Sequence, residues 1–212
     1  MSKITLEPNS LGSGTFTLSA PNSNNNRTFV IPDADGELLT TQSPIGPEQL
    51  TGLPTGAVIQ VKQTQKIDVF STSTNTYVNI TGLSVDITPS SSLNKILIIS
   101  TITASSTTNS DWGGFSFRFL RDSSPLPVGT QTGNWIEGIA GGLYRRNRHG
   151  VESYSYQFID SPNTTNTVTY RPQIAANIYN GGTVAHVNGS ANESTSYSGN
   201  GVSTITVMEI VG

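Results

Sequence analysis

The sequence predicts an all-β protein in two parts: an extended N-terminal β segment and, after a linker, a jelly-roll-like β-sandwich. Three observations carry this. Apolar residues recur at every second position in short runs, the period of a strand with one buried face. Those runs are separated by clusters of Gly, Pro, Asn, Asp and Ser, which suit turns. Charged residues make up only 12% of the 212 residues, about half the usual share, and Ser, Thr, Asn and Gly fill the gap. Long surface helices draw on Glu, Lys, Arg and Ala, so this composition favours strands and polar turns. No fixed-period repeat is present, which argues against a solenoid or β-helix.

The N-terminal part, residues 1–41, opens with the strand-like run Ile4-Thr5-Leu6. In Thr15–Ala20, Phe16 and Leu18 alternate with Thr15, Thr17 and Ser19. The polar cluster PNSNNN then forces a turn. Thr28–Ile31 is a second β-prone run, with Phe29 and Ile31 apolar, closed by Pro32. Asp33-Ala34-Asp35-Gly36 makes another turn before a last short strand over Glu37–Thr40, which carries Leu38 and Leu39. The segment has too few large apolar residues to bury a core of its own. It is expected to pack on copies of itself or on a larger assembly. Residues 42–56 hold Pro44, Pro47 and Pro54 with Gly46 and Gly52. They forbid a long regular element and read as a semi-rigid linker with at most one helical turn at Pro47–Leu50.

The head, residues 57–212, is β throughout. Ala57–Gln63 alternates Ile59 and Val61 against Gln60 and Lys62. Phe70 opens a polar turn, and Tyr77–Ile80 and Leu83–Ile87 are short strands around Gly82. Lys95–Ala104 begins with a continuous apolar run, the pattern of a strand buried on both faces. Phe115, Phe117 and Phe119 stack three rings on one side of a strand, and Tyr154, Tyr156 and Phe158 repeat the arrangement. Val168, Tyr170 and Ile174–Tyr179 supply one or two more strands. Asn180-Gly181 and Asn188-Gly189 are good tight-turn pairs, and Val202–Val211 is the final strand. The count fits an eight-stranded jelly roll.

The order of these stretches along one chain resembles bacteriophage tail-fibre and other virion-appendage proteins. TFTLSAP, a polar spacer and RTFVIPDADGELLTT are similar to their N-terminal attachment segment. GAVIQVKQ, TYVNITGLSVDITPSSSLNKILIIS and STITVMEI resemble their C-terminal β domain, notably in marine and cyanobacterial phages. Residues 112–189 share no pattern with it. The resemblance implies a compact β-sandwich head, usually a homotrimer, and a virion location. It also implies docking onto other virion proteins through residues 1–41, with Phe16, Leu18, Phe29, Ile31, Leu38 and Leu39 as the attachment side chains.

Composition excludes several other classes. The net charge of −3 gives no basic stripe for nucleic acid. There are no cysteines, so disulfides and thiolate metal sites are excluded. No apolar run approaches the roughly 18 residues that a spanning helix needs, so no membrane insertion is expected. MSKITLEPNS has no apolar core segment, so no signal peptide is expected, and the protein would reach the virion from the host cytoplasm. Asn79, Asn163, Asn188 and Asn192 open N-x-S/T triplets, which chance explains in a chain so rich in Asn and Thr.

Few residues suit catalysis. His149 and His186 are the only histidines, no G-x-S-x-G elbow accompanies them, and both are expected in exposed loops. Aligning Gly36 to the sixth position of a calcium loop puts Ile31 first and Gln42 twelfth, where carboxylates are required, so no metal and no cofactor are expected. Asp68, Asp86, Asp111, Asp122, Glu137, Glu152, Asp160, Glu193 and Glu209 could in principle pair for glycoside hydrolysis, but none lies in a motif, and surface acids are the expectation. The chain is therefore expected not to be an enzyme.

The sharper candidate lies between Trp112 and Tyr154. Trp112, Trp135, Tyr144, Arg145, Arg146, Arg148 and His149 cluster there in a chain otherwise poor in cations. Aromatic faces pack on sugar C–H surfaces, and arginines complement carboxylate or phosphate on a glycan. The same residues also suit an irregular connection whose tryptophans fill the core and whose arginines make solubilising or intersubunit pairs. The sequence thus reads as a tail fibre or similar appendage whose head binds a host cell-surface polysaccharide. The alternative is a capsid decoration or head-fibre protein that stabilises the particle with no receptor role.

Overall fold

The computed structural model describes residues 11–15, 17, 22–26, 28, 53–107, 113–130, 138–143, 151–178, 182–190 and 199–212. The chain divides into two units, Met1–Ser43 and Pro44–Gly212. In the first unit the described residues are exposed turns, bends and coil. The Ser23 hydroxyl accepts from the Asn25 N–H at 3.2 Å, as a polar turn cluster should. The attachment residues Phe16, Leu18, Phe29, Ile31, Leu38 and Leu39 lie outside the described residues. So do the Asp33–Gly36 turn and the helical turn expected at Pro47–Leu50.

The second unit is all-β. Its strands are β1 (Val58–Lys66), β2 (Phe70–Thr72), β3 (Val78–Asn79), β4 (Val85–Ile87), β5 (Lys95–Thr107) and β6 (Gly113–Arg121), followed by β7 (Ser124–Pro125), β8 (Ala140–Leu143), β9 (Glu152–Asp160), β10 (Val168–Ile178), β11 (Val184–Val187) and β12 (Ser203–Ile210). In the first sheet β1, β12, β5 and β9 lie side by side; β11 continues the place of β12 along β5 and carries β2. In the second sheet β4 and β3 share one edge of β10, β6 takes its other edge, and β7 and β8 share the far edge of β6. Every pairing is antiparallel. Taken in chain order, β1, β4, β5, β6, β8, β9, β10 and β12 give neighbours 1-12-5-9 in one sheet and 4-10-6-8 in the other. That double Greek key is a jelly roll.

The core forms where the two inner faces meet. Ile96, Ile98, Ile205 and Val207 of the first sheet face Phe115, Phe117, Phe119, Tyr170 and Ile174 of the second, all buried. The aromatic ladders expected on β6 and β9 interlock across the gap. Phe115 meets Tyr154 edge-on at 5.3 Å between centroids, and Phe119 stacks on Tyr156 at 5.1 Å. Such pairs each add about 0.5–1.5 kcal/mol beyond area burial.

Several elements differ from expectation. Phe70 begins β2 rather than a turn, and β11 has no clear apolar alternation to announce it. β5 is buried on both faces over residues 102–105, but over residues 95–101 on one face only: Ile96 and Ile98 are enclosed, while Ile99 on the outer face is 36% exposed. In β1 the expected apolar face points outward. Thr64 stands opposite Ile205 and Lys62 opposite Val207, so the polar residues share the inner face, and Val61 is 54% exposed. β1 is an edge strand, and inward-pointing lysines such as Lys62 and Lys66 are a known way to block edge-to-edge pairing. The Lys66 side chain is buried and bonds Asp68 at 2.7 Å. That hydrogen bond holds the Asp68 carboxyl below its ordinary pKa.

Asn188, expected in a tight turn, does adopt a positive φ of 62°, but it is fully buried. Its amide donates to the Lys66 and Asp68 carbonyls at 2.8 and 3.2 Å and its Oδ1 accepts from Ser203 Oγ at 2.6 Å. Its backbone N–H also bonds the Thr103 carbonyl at 2.8 Å. One residue, through its side chain and its backbone N–H, therefore ties together the end of β1, the start of β12 and Thr103 of β5. Asn tolerates the left-handed conformation through such local bonds.

Candidate functional site

The sequence-selected receptor residues Trp112, Trp135, Tyr144, Arg145, Arg146, Arg148 and His149 all lie outside the described residues. What the fold does give is the origin of the connections that carry Trp112 and residues 144–149. The chain enters the sandwich at Gly56, whose N–H bonds the Val211 carbonyl at 2.9 Å, with Val211 N–H returning to Ala57 at 2.9 Å. β5 starts at this end, since Lys95 pairs with Ile210 and Ile210 with Val58. β5 ends, β6 begins and β9 begins at the opposite end, where Ala104 pairs with Glu152 and Ile178 with Gly113. The links from β5 to β6 and from β8 to β9 therefore leave the end farthest from Gly56.

His186 lies in β11, half-buried, with Nε2 at 3.3 Å from Thr107 Oγ1. It is a strand residue, not an exposed loop histidine. Two of the acids are likewise not surface groups. Asp160 and Glu209 flank Ile96 in one inner-face row, and both are buried. Arg121 Nη1 grips both Asp160 oxygens at 3.0 and 2.8 Å, and Tyr170 Oη donates to Asp160 at 2.7 Å. Burial, reinforced by this bond, pushes the Tyr170 hydroxyl pKa well up. Burial also raises Tyr154, to about 12, with the Glu152 hydrogen bond adding to it. Glu209 Oε1 accepts from Ser90 N, Ser90 Oγ and Asn94 Nδ2 at 2.6, 2.8 and 2.7 Å. Among the described residues its Oε2 has no donor, nor has Oε1 of its register partner Gln60. These carboxylates are built into the fold, with Ile96 between them. Among the described residues no group of three or more His, Cys, Asp or Glu is placed to hold a metal ion.

Two outer surfaces remain. On the first sheet, Val61, Met208, Leu97 and Ile159 form one row across all four strands. Val61 and Ile159 are more than half exposed. Beside this row runs Gln63, Thr206, Ile99 and Gln157, and beyond it Gln65, Thr204, Thr101 and Ser155. These twelve positions carry no charge. The signal was in the sequence: β5 reads as apolar on both faces.

The outer face of the second sheet is different. The segment before β3 folds over it: the Thr74 carbonyl accepts from Ala176 N–H at 2.8 Å, and the Tyr77 ring lies 4.4 Å from the Arg118 guanidinium carbon. Arg118 Nε donates to Gln173 Oε1 at 2.7 Å, and Gln173 Nε2 donates to Asn79 Oδ1 at 2.8 Å. Arg171 shares this face, since it pairs with Leu120 while Gln173 pairs with Arg118. Nothing in the sequence marked these residues, which come from three strands and one loop.

No protein-family model matches the chain, and no curated protein matches it. Among solved structures, the chain is similar to the VP2 protein of infectious bursal disease virus in T=1 particles, with 11% identity, a TM-score of 0.40 and coverage of 80% of this chain and 41% of that one. It is also similar to a chain of the T=13 particle of the same virus, with 11% identity, a TM-score of 0.38 and coverage of 72% and 36%. In both cases the chain spans less than half of the other protein's length.

Proposed function

We propose that the chain is a structural protein of a bacteriophage particle, a tail fibre or similar appendage. Residues 1–41 dock it to other virion proteins, and residues 42–56 link them to the head. The jelly-roll head assembles as a homotrimer and turns the connections around Trp112–Tyr154 toward a host cell-surface polysaccharide. The ordered resemblance of the attachment and head stretches supports the virion role. The observation that carries the assembly role is the uncharged middle of the outer face of β1-β12-β5-β9, with its row Val61, Met208, Leu97 and Ile159. An apolar row of this kind across a central sheet suits a subunit contact. A face without charge is complementary to another copy of itself, because it meets no unpaired ion there.

Electron microscopy of intact particles labelled on this chain tests the reading. Density on the tail or on a fibre supports the appendage. Density spread over the capsid lattice, with adsorption unchanged when the protein is absent, assigns it to capsid decoration instead.

A further inference from the structure

We propose that the outer face of the second sheet binds an oxyanion between Arg118 and Arg171. The two arginines are diagonal neighbours on β6 and β10, with Cα atoms about 7–8 Å apart in such an arrangement. Among the described residues neither forms an ion pair: the salt bridges there are Lys66 with Asp68 and Arg121 with Asp160. Among the described residues the nearest acids by register are Asp86 and Asp122. Both are engaged by Thr169, whose hydroxyl donates to Asp86 at 2.7 Å and whose N–H donates to Asp122 at 2.9 Å.

The hydrogen-bond inventory of this face is one-sided. Beside Arg118, the described side-chain acceptors Gln173 Oε1 and Asn79 Oδ1 are taken by Arg118 and Gln173. Donors on Arg118 and Arg171 are left over among the described residues. The Arg118 Nη groups have no acceptor among the described residues, and the guanidinium is held flat by Tyr77 on its face and Gln173 at Nε. Arg171 Nε is buried with no hydrogen-bond partner among the described residues, and an unsatisfied buried donor calls for an ordered acceptor. Asn79, exposed at the margin, has its Nδ2 in reserve. A surplus of fixed donors with two positive charges selects an acceptor-only, negatively charged group: sulfate, phosphate or carboxylate. A pre-positioned guanidinium fork matches the planar geometry of such groups. On the receptor reading above, the group would be carried by an acidic saccharide; the oxyanion site itself does not depend on that reading.

The test is calorimetric titration of the full chain with inorganic sulfate at low ionic strength. Saturable binding is expected. Arg171→Gln should weaken it roughly tenfold or more through loss of charge-assisted bonds with a melting temperature close to wild type, because Arg171 has no ion-pair partner among the described residues to lose. Arg118→Gln should weaken binding similarly, and Arg118→Lys should not restore it, since an ammonium lacks the fork. The absence of saturable binding to sulfate or phosphate, or binding by Arg171→Gln equal to wild type, overturns the site. A parallel titration with trigalacturonate separates the two ideas. Tighter binding than sulfate supports a saccharide ligand, whereas binding no tighter counts against the receptor reading and leaves the oxyanion site standing on the sulfate result.

Discussion

Single buried polar groups have effects here that the apolar core hides. Glu209 is enclosed with three donors on Oε1 and none on Oε2, beside an equally orphaned Gln60 Oε1. Glu209→Gln keeps an acceptor for Ser90 and Asn94, gives Gln60 a donor and replaces a buried carboxyl that has no cation among the described residues. It should raise unfolding free energy by about 1 kcal/mol. Glu209→Ala strands three donors and should lower it by roughly 3 kcal/mol. Urea melts of the two variants check both signs, and a destabilised Glu209→Gln would contradict the accounting. Tyr170 gives a second residue-scale expectation. Its folded pKa is raised above the ordinary 10.0 by burial and by Asp160, so above that pH the unfolded chain releases a proton that the folded chain keeps. Stability is therefore fully present below pH about 10 and falls as pH rises, by about 1.4 kcal/mol per pH unit for each such tyrosine. Tyr154 adds to the fall until about pH 12. Tyr170→Phe should lose about 1–3 kcal/mol at neutral pH with the bond to Asp160, and its stability should decline less steeply in alkali than that of wild type, as melts between pH 8 and 11 would show.

At the scale of the element, legibility followed the inner faces. β6 and β9 were readable because three aromatics at period two leave no other way to be buried, and Phe115, Phe117 and Phe119 are all enclosed. β12 was readable from Ile205 and Val207, but Glu209 takes the next inner position, which no alternation rule assigns to an acid. β1 misled because edge position, not hydropathy, decides its facing: Lys62 and Lys66 point inward to guard the edge. The Arg118 surface was illegible because it depends on a loop closing over a sheet, with partners far apart in sequence. The receptor and attachment residues lie outside the described residues. β5 was read as doubly buried; that holds over residues 102–105, but over residues 95–101 its outer face is partly exposed within one chain. This mismatch is the basis of an element-scale prediction. Ile159→Arg places a charge in the row with Leu97 and Met208, on a side chain already half in solvent. It should leave the melting of the isolated head within about 0.5 kcal/mol of wild type, as surface changes do. Light scattering should nonetheless show the assembly dissociating. A variant that stays assembled at micromolar concentration would move the subunit contact to another face.

For the whole molecule, the division at Ser43 and Pro44 sets an expectation about truncation. A jelly roll with its own core between Val58 and Ile210 has no need of residues 1–41 to fold. Deleting them should preserve cooperative melting of the head and abolish incorporation into particles. Normal copy number of the truncated protein on purified virions would refute the docking role.

The junction at Gly56 and Val211 has a mechanical consequence. A head tethered through its linker and held by a surface at its opposite end would feel tension along β1. That strand is bonded to β12 in register from Gln60 to Lys66. A pull entering at Gly56 and resisted at the far end runs parallel to the ladder, so its hydrogen bonds are strained together in shear instead of parting one at a time from a free end. Asn188, which clamps the carbonyls of Lys66 and Asp68 to the start of β12, sits where that load would leave the strand. The lifetime of the fold under force is then set by its unfolding rate rather than by its equilibrium stability, and the same protein would yield far sooner if pulled apart between Gly56 and Val211, where the ladder can unzip.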